Sequence, residues 1–204
     1  MKLYYSPGAC SLAPHIVARE AGLSPDLEKV DLANRTTASG RSYLEVNPKG
    51  YVPALQVQDG TVMTEVSALI QYLADQAPQA GLIPAVGTPE RYKVLEWIGF
   101  ISTEIHKGFG PLWNPTTPDA VKQATKEKLF QRFAYLDQQL DGHSYLTGER
   151  FTVADAYLFV VVNWTNFHGL SLGQYPNLTA FMDRVAARPK VQEALQAEGL
   201  LKAA

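Results

Sequence analysis

The stretch LEKVDL (27–32) alternates apolar and polar side chains, and that period of two predicts a β-strand. KLYY (2–5) is a shorter strand-like run stopped by the turn signal Ser6-Pro7-Gly8. Between them, Ser11 to about Ala21 reads as a helix. Ser11 stands as its N-cap, Pro14 falls in the first turn where a missing N–H costs nothing, and Gly22 suits the residue after the C-cap. Farther on, ALQV (54–57) and TVM (61–63) flank Asp59-Gly60 and predict a hairpin. A helix follows from Glu65 to about Ala77, with Thr64 as N-cap. With a short helix near 41–46, the order is βαβαββα. The first β-α-β unit sets two strands parallel, and the hairpin adds two antiparallel ones.

Beyond residue 88 the pattern is helical. Residues 90–110 carry Val94, Ile98, Ile101 and Ile105 on one stripe, and residues 118–141 carry Leu129, Phe133, Leu136 and Leu140 in step. FTVADAYLFVVVNW (151–164) is apolar all round and predicts a buried central helix, with Thr152 and Asp155 spaced as a capping box. PNLTAFMDRVAARP and VQEALQAEG supply two more helices. The proline- and glycine-rich run PQAGLIPAVGTPE contains the linker. The expected organisation is α/β plus all-α: a small domain over 1–78, a linker over 79–88 and an all-helical domain over 89–204.

The 46% hydrophobic content of 204 residues suffices for one sizeable core or two small ones. The net charge of −2, with no Lys/Arg run, argues against a nucleic-acid partner. The longest apolar run, AYLFVVV (156–162), falls far short of the ~20 residues of a membrane span, and the N-terminus lacks a secretory apolar region. These features predict a soluble, cytoplasmic protein with no membrane partner. A single cysteine closes no intramolecular disulfide, and no Cys/His cluster has metal-ligand spacing, so no metal is expected.

That cysteine, Cys10, precedes the first helix, where free N–H groups favour a thiolate. Position alone leaves it open between this role and that of a buried hydrophobe. Cys10-Ser11-Leu12-Ala13 lacks the second cysteine of a dithiol site, so a mixed disulfide with a small thiol is the remaining redox chemistry. Val52-Pro53 stands just before strand ALQV; a cis bond there would expose the Val52 N–H and C=O to an extended peptide, although most such bonds are trans. Glu65 and the N–H groups opening its helix suit a ligand bearing both an ammonium and a carboxylate, and read equally as a capping acid. Gly99, Ser102, Thr103, His106 and Gly110 share one helical face, with Lys107 beside it; the plain alternative is a solvated face. His15, His143 and His168 show no partner pattern and read as surface or core. Phe109, Trp113, Trp164 and Phe167 read as core or as the lining of an apolar site.

Together these stretches resemble a bacterial beta-class glutathione S-transferase over essentially the whole chain. The resemblance rests on YYSPGACSLAPHI, YLEVNPKGYVPAL, TEVSALIQYLAD, ISTEIHKGFGPLWNP, RFTVADAYLF and ARPKVQEAL. It implies a thioredoxin-like N-terminal domain, an all-helical C-terminal domain and a homodimer with a site at each domain junction. Glutathione would be the co-substrate. Cys10, His106 and Lys107 would be catalytic. Val52 and cis-Pro53 would hold the cysteinyl part, Glu65 and the N–H of Val66 the γ-glutamyl end, and Arg35, where Lys is usual, the glycine carboxylate. Thr103, Glu104 and His106 would line the site, Glu104 serving the partner subunit. Val66 replaces the usual Gly or Ser, and Gly99 a common Asn, which implies weaker binding or a roomier site. The implied activity is conjugation of glutathione to small hydrophobic electrophiles, with thiol/disulfide or peroxidase side activity. The alternatives are a glutathione-dependent disulfide reductase and a non-catalytic carrier of apolar ligands.

Overall fold

β1 (Lys2–Tyr5) is the middle strand of a five-stranded sheet in the computed structural model, which describes residues 1–201. α1 (Leu12–Glu20) supplies the crossover that lets β2 (Asp26–Asp31) lie parallel to β1, with Leu3 opposite Leu27. A two-residue strand, β3 (Thr36–Thr37), pairs with β2 at the edge. β4 (Ala54–Gln56) runs antiparallel on the other side of β1, and β5 (Val62–Thr64) completes the expected hairpin. The spatial order is therefore β3-β2-β1-β4-β5. The short helix expected near 41–46 is a single 3-10 turn, Tyr43–Glu45. Asn47 precedes Pro48, and a residue before proline is disfavoured in helical conformation.

α2 (Val66–Asp75) begins one residue later than expected. Its cap is Glu65, at φ 69°, and not Thr64. α1 keeps Ser11 at the cap position, as expected, but without a side-chain cap. Ser11 is already helical, and its hydroxyl turns back to accept from Ser6 N–H at 3.1 Å and donate to Ser6 O at 3.2 Å. The other end of α1 follows the sequence. Gly22, at φ 72°, lets Leu23 N–H reach Ala18 O, which satisfies a carbonyl the helix leaves free.

Every residue from Leu12 to Ala18 is buried, so α1 needs cover on more than one side. α2 covers part of it. The rest is covered by the C-terminal helix Pro189–Ala197, which was expected within an all-helical domain over 89–204. The chain forms two compact units, Met1–Pro84 with the described residues from Ala187 onward, and Ala85–Ala186. The grouping of the C-terminal segment with the first unit has a chemical cause. Arg188 donates to both carboxylate oxygens of Glu20 at 2.7 and 2.8 Å, and the residues after the helix reach farther in.

In the second unit, the single helix expected over 90–110 is α3 (Pro89–Phe100), a π-helical segment Ile101–His106, a 3-10 turn Lys107–Phe109 and α4 (Gly110–Trp113). Pro111 lacks an N–H and crowds the carbonyl four residues back, and two glycines nearby loosen the run. The apolar stripe nevertheless holds, since Val94, Ile98, Ile101 and Ile105 are all buried. α5 (Asp119–Gln139) matches the predicted helix over 118–141. α6 (Val153–Asn163) is buried from Val153 through Val162, as its all-round apolar pattern predicts. α7 (Thr165–His168) is an added turn, and α8 (Pro176–Ala186) completes the unit. No helix among the described residues is long and apolar enough to cross a membrane.

The expected capping box opens α6. Asp155 is fully buried and accepts from Leu146 N–H at 2.9 Å, Thr152 N–H at 2.7 Å and the Thr152 hydroxyl at 2.8 Å. Burial pushes its carboxyl from the ordinary 3.8 up to about 6, against the opposing pull of these donors. The folded state therefore holds a proton that the unfolded chain releases, so this contribution is fully present below about pH 4 and is lost as pH rises through about 6. Asp155→Asn should remove that slope. In urea melts, the stability of the wild type relative to Asp155→Asn should be greatest near pH 4 and fall as pH rises to 7. Asp155→Ala, which strands two backbone N–H groups, should show the same pH slope and be less stable than Asp155→Asn by about 1–3 kcal/mol.

Candidate active site

The loop after β1 carries Cys10 and is held from two sides. Within it, Ala9 N–H donates to Ser6 O at 3.0 Å and the buried Ser11 hydroxyl brackets Ser6. From the C-terminal segment, Glu198 Oε2 accepts Gly8 N–H at 3.0 Å. Glu198 Oε1 lies 2.9 Å from His15 Nδ1, and neither side chain has exposed surface. Arg19 Nε donates to His15 Nε2, so the imidazole proton sits on Nδ1 and is given to Glu198. The same carboxylate, after burial itself, pushes the Tyr5 phenol up. His15 is thus a fully partnered core residue, and neither it nor Glu198 was marked by any spacing in the sequence.

Cys10 is partly exposed, and its thiol donates to Val52 O at 3.3 Å. The Val52–Pro53 bond is cis. One residue earlier, the Tyr51 carbonyl accepts from the Tyr43 hydroxyl and from Asn47 Nδ2, each at 2.7 Å. Tyr43 has no exposed surface, and burial pushes its phenol up to about 12, so it remains a donor at neutral pH. Asn47 also takes Lys49 N–H on Oδ1 at 3.2 Å and Gly50 N–H on its carbonyl at 2.8 Å. Gly50, at φ 70°, completes the turn; a Cβ there would sit 3.4 Å from Leu44 and 3.6 Å from Arg35 Nε. Arg35 therefore borders the same loop, itself at φ 54° and exposed.

Glu65 is the second non-glycine residue at positive φ, a conformation that stores strain and clusters at ligand sites. Val66 is buried, so its contribution is its backbone N–H; that group and the N–H of Ser67 precede the first bond of the turn, Ala68 N–H to Glu65 O. Glu65 Oε1 lies 2.6 Å from Lys49 Nζ, which also donates to Thr64 Oγ1 at 2.7 Å. Lys49 is a functional candidate that the sequence left unmarked.

The expected face of the second unit is split by its π-helical segment. Thr103, Glu104 and Lys107 line a cavity of about 270 Å³ with Thr125 and Lys128. Glu104 is paired with Arg132 at 2.7 Å, and the Thr103 hydroxyl is spent on Gly99 O at 3.1 Å. His106 turns elsewhere, its Nδ1 2.6 Å from the Tyr157 hydroxyl and its ring edge-on to Trp164 at 5.0 Å. His106 and Lys107, expected side by side in one role, thus have different neighbours. A Cβ at Gly99 would meet nothing within 4 Å, so that face is open. Of the aromatics, Phe109 and Trp164 are buried, while Trp113 and Phe167 are exposed beside His168. Burial and then the charge of Lys126 push the His168 imidazole down.

The comparisons agree on one family. A model described as the N-terminal domain of glutathione S-transferase matches residues 8–76, and one described as its C-terminal domain matches residues 100–189. The chain is 48% identical to glutathione S-transferase GstA of Escherichia coli O157:H7, covering 98% of this chain and all of that one. A sphingomonad glutathione S-transferase solved in complex with glutathione is 46% identical, with a TM-score of 0.95 over 98% of this chain and all of that one. A bacterial beta-class enzyme from Sphingomonas chungbukensis gives the same identity, coverage and TM-score.

The network around Glu198 makes a direct prediction. Glu198→Ala removes the carboxylate that accepts from Gly8 N–H and pairs with His15 Nδ1. It should cost about 3 kcal/mol in urea unfolding at pH 7, whereas Glu198→Gln, which keeps an acceptor oxygen, should cost less.

Proposed function

The chain belongs to the glutathione S-transferase family, among its bacterial beta-class members, and from that premise we propose that it transfers glutathione to small, mostly hydrophobic electrophiles. The observation that carries the reading is the Cys10 thiol set 3.3 Å from Val52 O beside the cis Val52–Pro53 bond. An extended peptide pairs with the Val52 N–H and C=O as an added strand does. That brings the cysteinyl sulfur of glutathione toward Cys10. Glu65 takes the α-ammonium of the γ-glutamyl end, the N–H of Val66 its carboxylate, and Arg35 the glycine carboxylate.

Cys10 S–H then donates to the glutathione sulfur as that sulfur loses its proton to solvent water. A donor aimed at developing negative charge lowers the barrier to forming the nucleophile. The sulfur attacks the electrophilic carbon, a C–S bond forms, and the displaced group leaves with the bonding pair. His106 and Lys107 steady negative charge, and Thr103 and Glu104 contact glutathione. The apolar co-substrate is favoured by the aromatic set Phe109, Trp113, Trp164 and Phe167. The working form is a cytoplasmic homodimer. Open space at Gly99 supports a roomier site than one with a side chain there.

A second reading, a glutathione-dependent disulfide reductase, is favoured by the partial exposure of Cys10, which permits a mixed disulfide with glutathione. One comparison separates them. Cys10→Ala should slow conjugation of a chloronitrobenzene by about tenfold or more, the loss of one hydrogen bond to a charged atom. If conjugation is untouched while reduction of a mixed disulfide is abolished, the reductase reading replaces the transferase one. Intact-mass spectrometry should show a dithiothreitol-removable glutathione adduct only where Cys10 is present.

A further inference from the structure

Lys49 projects from a turn with little freedom. Asn47, only 3% exposed, holds the Lys49 N–H on one side of its amide and the Tyr51 carbonyl on the other. From that base, Lys49 Nζ lies 2.6 Å from Glu65 Oε1 and 2.7 Å from Thr64 Oγ1. Both acceptors are also held in place, Thr64 as the last residue of β5 and Glu65 as the positive-φ cap of α2. A carboxylate and a hydroxyl oxygen side by side suit a primary ammonium with three N–H donors. The head of Lys49 is such an ammonium, and so is the α-ammonium of a γ-glutamyl group.

Resting on the assignment of Glu65 proposed above, we propose that Lys49 is an internal occupant of the ammonium position, which glutathione must displace to bind. Two ammonium groups on the same oxygens repel, and Lys49 has water to move into, since its side chain is 48% exposed. An ion pair this exposed is weak, so the competition is worth only a few-fold in affinity. Its effect is on selectivity. A ligand with the γ-glutamyl carboxylate but no ammonium leaves Lys49 on Glu65 and neither loses nor gains there. A ligand with the ammonium exchanges one ion pair for another.

Calorimetric titration with glutathione and with its deamino analogue, glutaryl-cysteinylglycine, tests this at about 0.15 M salt. In Lys49→Met, the ratio of glutathione affinity to analogue affinity should rise about twofold to fivefold over wild type. Lys49→Arg, which keeps a cation on Glu65, should retain the wild-type ratio. Because the analogue carries one more negative charge than glutathione, the titrations are repeated at about 0.5 M salt, where the long-range effect of removing a positive charge is screened and the contact at Glu65 remains. An unchanged or smaller ratio in Lys49→Met overturns the proposal. Failure of the underlying reading looks different: wild type then does not bind glutathione, or binds it no less well in Glu65→Gln, and the role of Lys49 falls with it.

Discussion

A single carboxylate without solvent, that of Glu198, ties the end of the chain to its beginning. Burying such a group is costly unless each oxygen finds a donor, and here one takes Gly8 N–H and the other His15. Both partners flank Cys10, one in the loop before it and one in the helix after it. The position of the Cys10 thiol therefore depends on a residue 188 positions away in the chain, counted from 10 to 198. The two-oxygen grip of Arg188 on Glu20 closes the same interface at its more exposed side. This is why the C-terminal segment groups with the sheet and not with the helices that precede it.

What could be read from the sequence was local. Asp59-Gly60 marked the hairpin, Gly22 the end of α1, and Thr152 with Asp155 the start of α6, because each of these signals acts within a few residues. The all-round apolar run at 153–162 marked a buried helix for the same reason. Ser11 and Thr64 misled because a hydroxyl before a helix has more than one backbone group in reach. Ser11 closes the Ser6 turn instead, and Thr64 yields its place to Glu65. The pairing of His15 with Glu198 joins residues 183 apart and leaves no periodic trace. A histidine inside LAPHIVA, on a helix with no polar face, was still a hint that a distant partner existed.

The split of the 101–113 region shows a different limit. Regular helical spacing put Thr103, His106 and Gly110 on one face, and a π-helical segment undoes that geometry without breaking the chain's helical course. The apolar stripe survived because isoleucines are held by burial wherever the backbone adjusts. The polar face had no such constraint. Thr103 spends its hydroxyl on Gly99 O, Glu104 finds Arg132, and His106 finds Tyr157. A shared role for these residues therefore has to come from the ligand they meet and not from contacts among themselves.

Several of the groups proposed to hold glutathione already have partners within the protein. Cys10 S–H rests on Val52 O, and Lys49 rests on Glu65 and Thr64. The first N–H groups of α2 precede its first intrahelical bond, Ala68 N–H to Glu65 O. Binding at such a site is an exchange of partners, so its net free energy is the difference between two sets of hydrogen bonds rather than the sum of one set. The exchange is also ordered by chemistry. In the proposed binding mode the γ-glutamyl ammonium competes with a weak, exposed pair. The thiol of Cys10 can turn from a neutral carbonyl to a sulfur that becomes an anion, and a charged acceptor takes the stronger hydrogen bond. In the proposed binding mode, a site arranged this way is internally satisfied before the ligand enters and would release its donor most fully as the glutathione sulfur ionises.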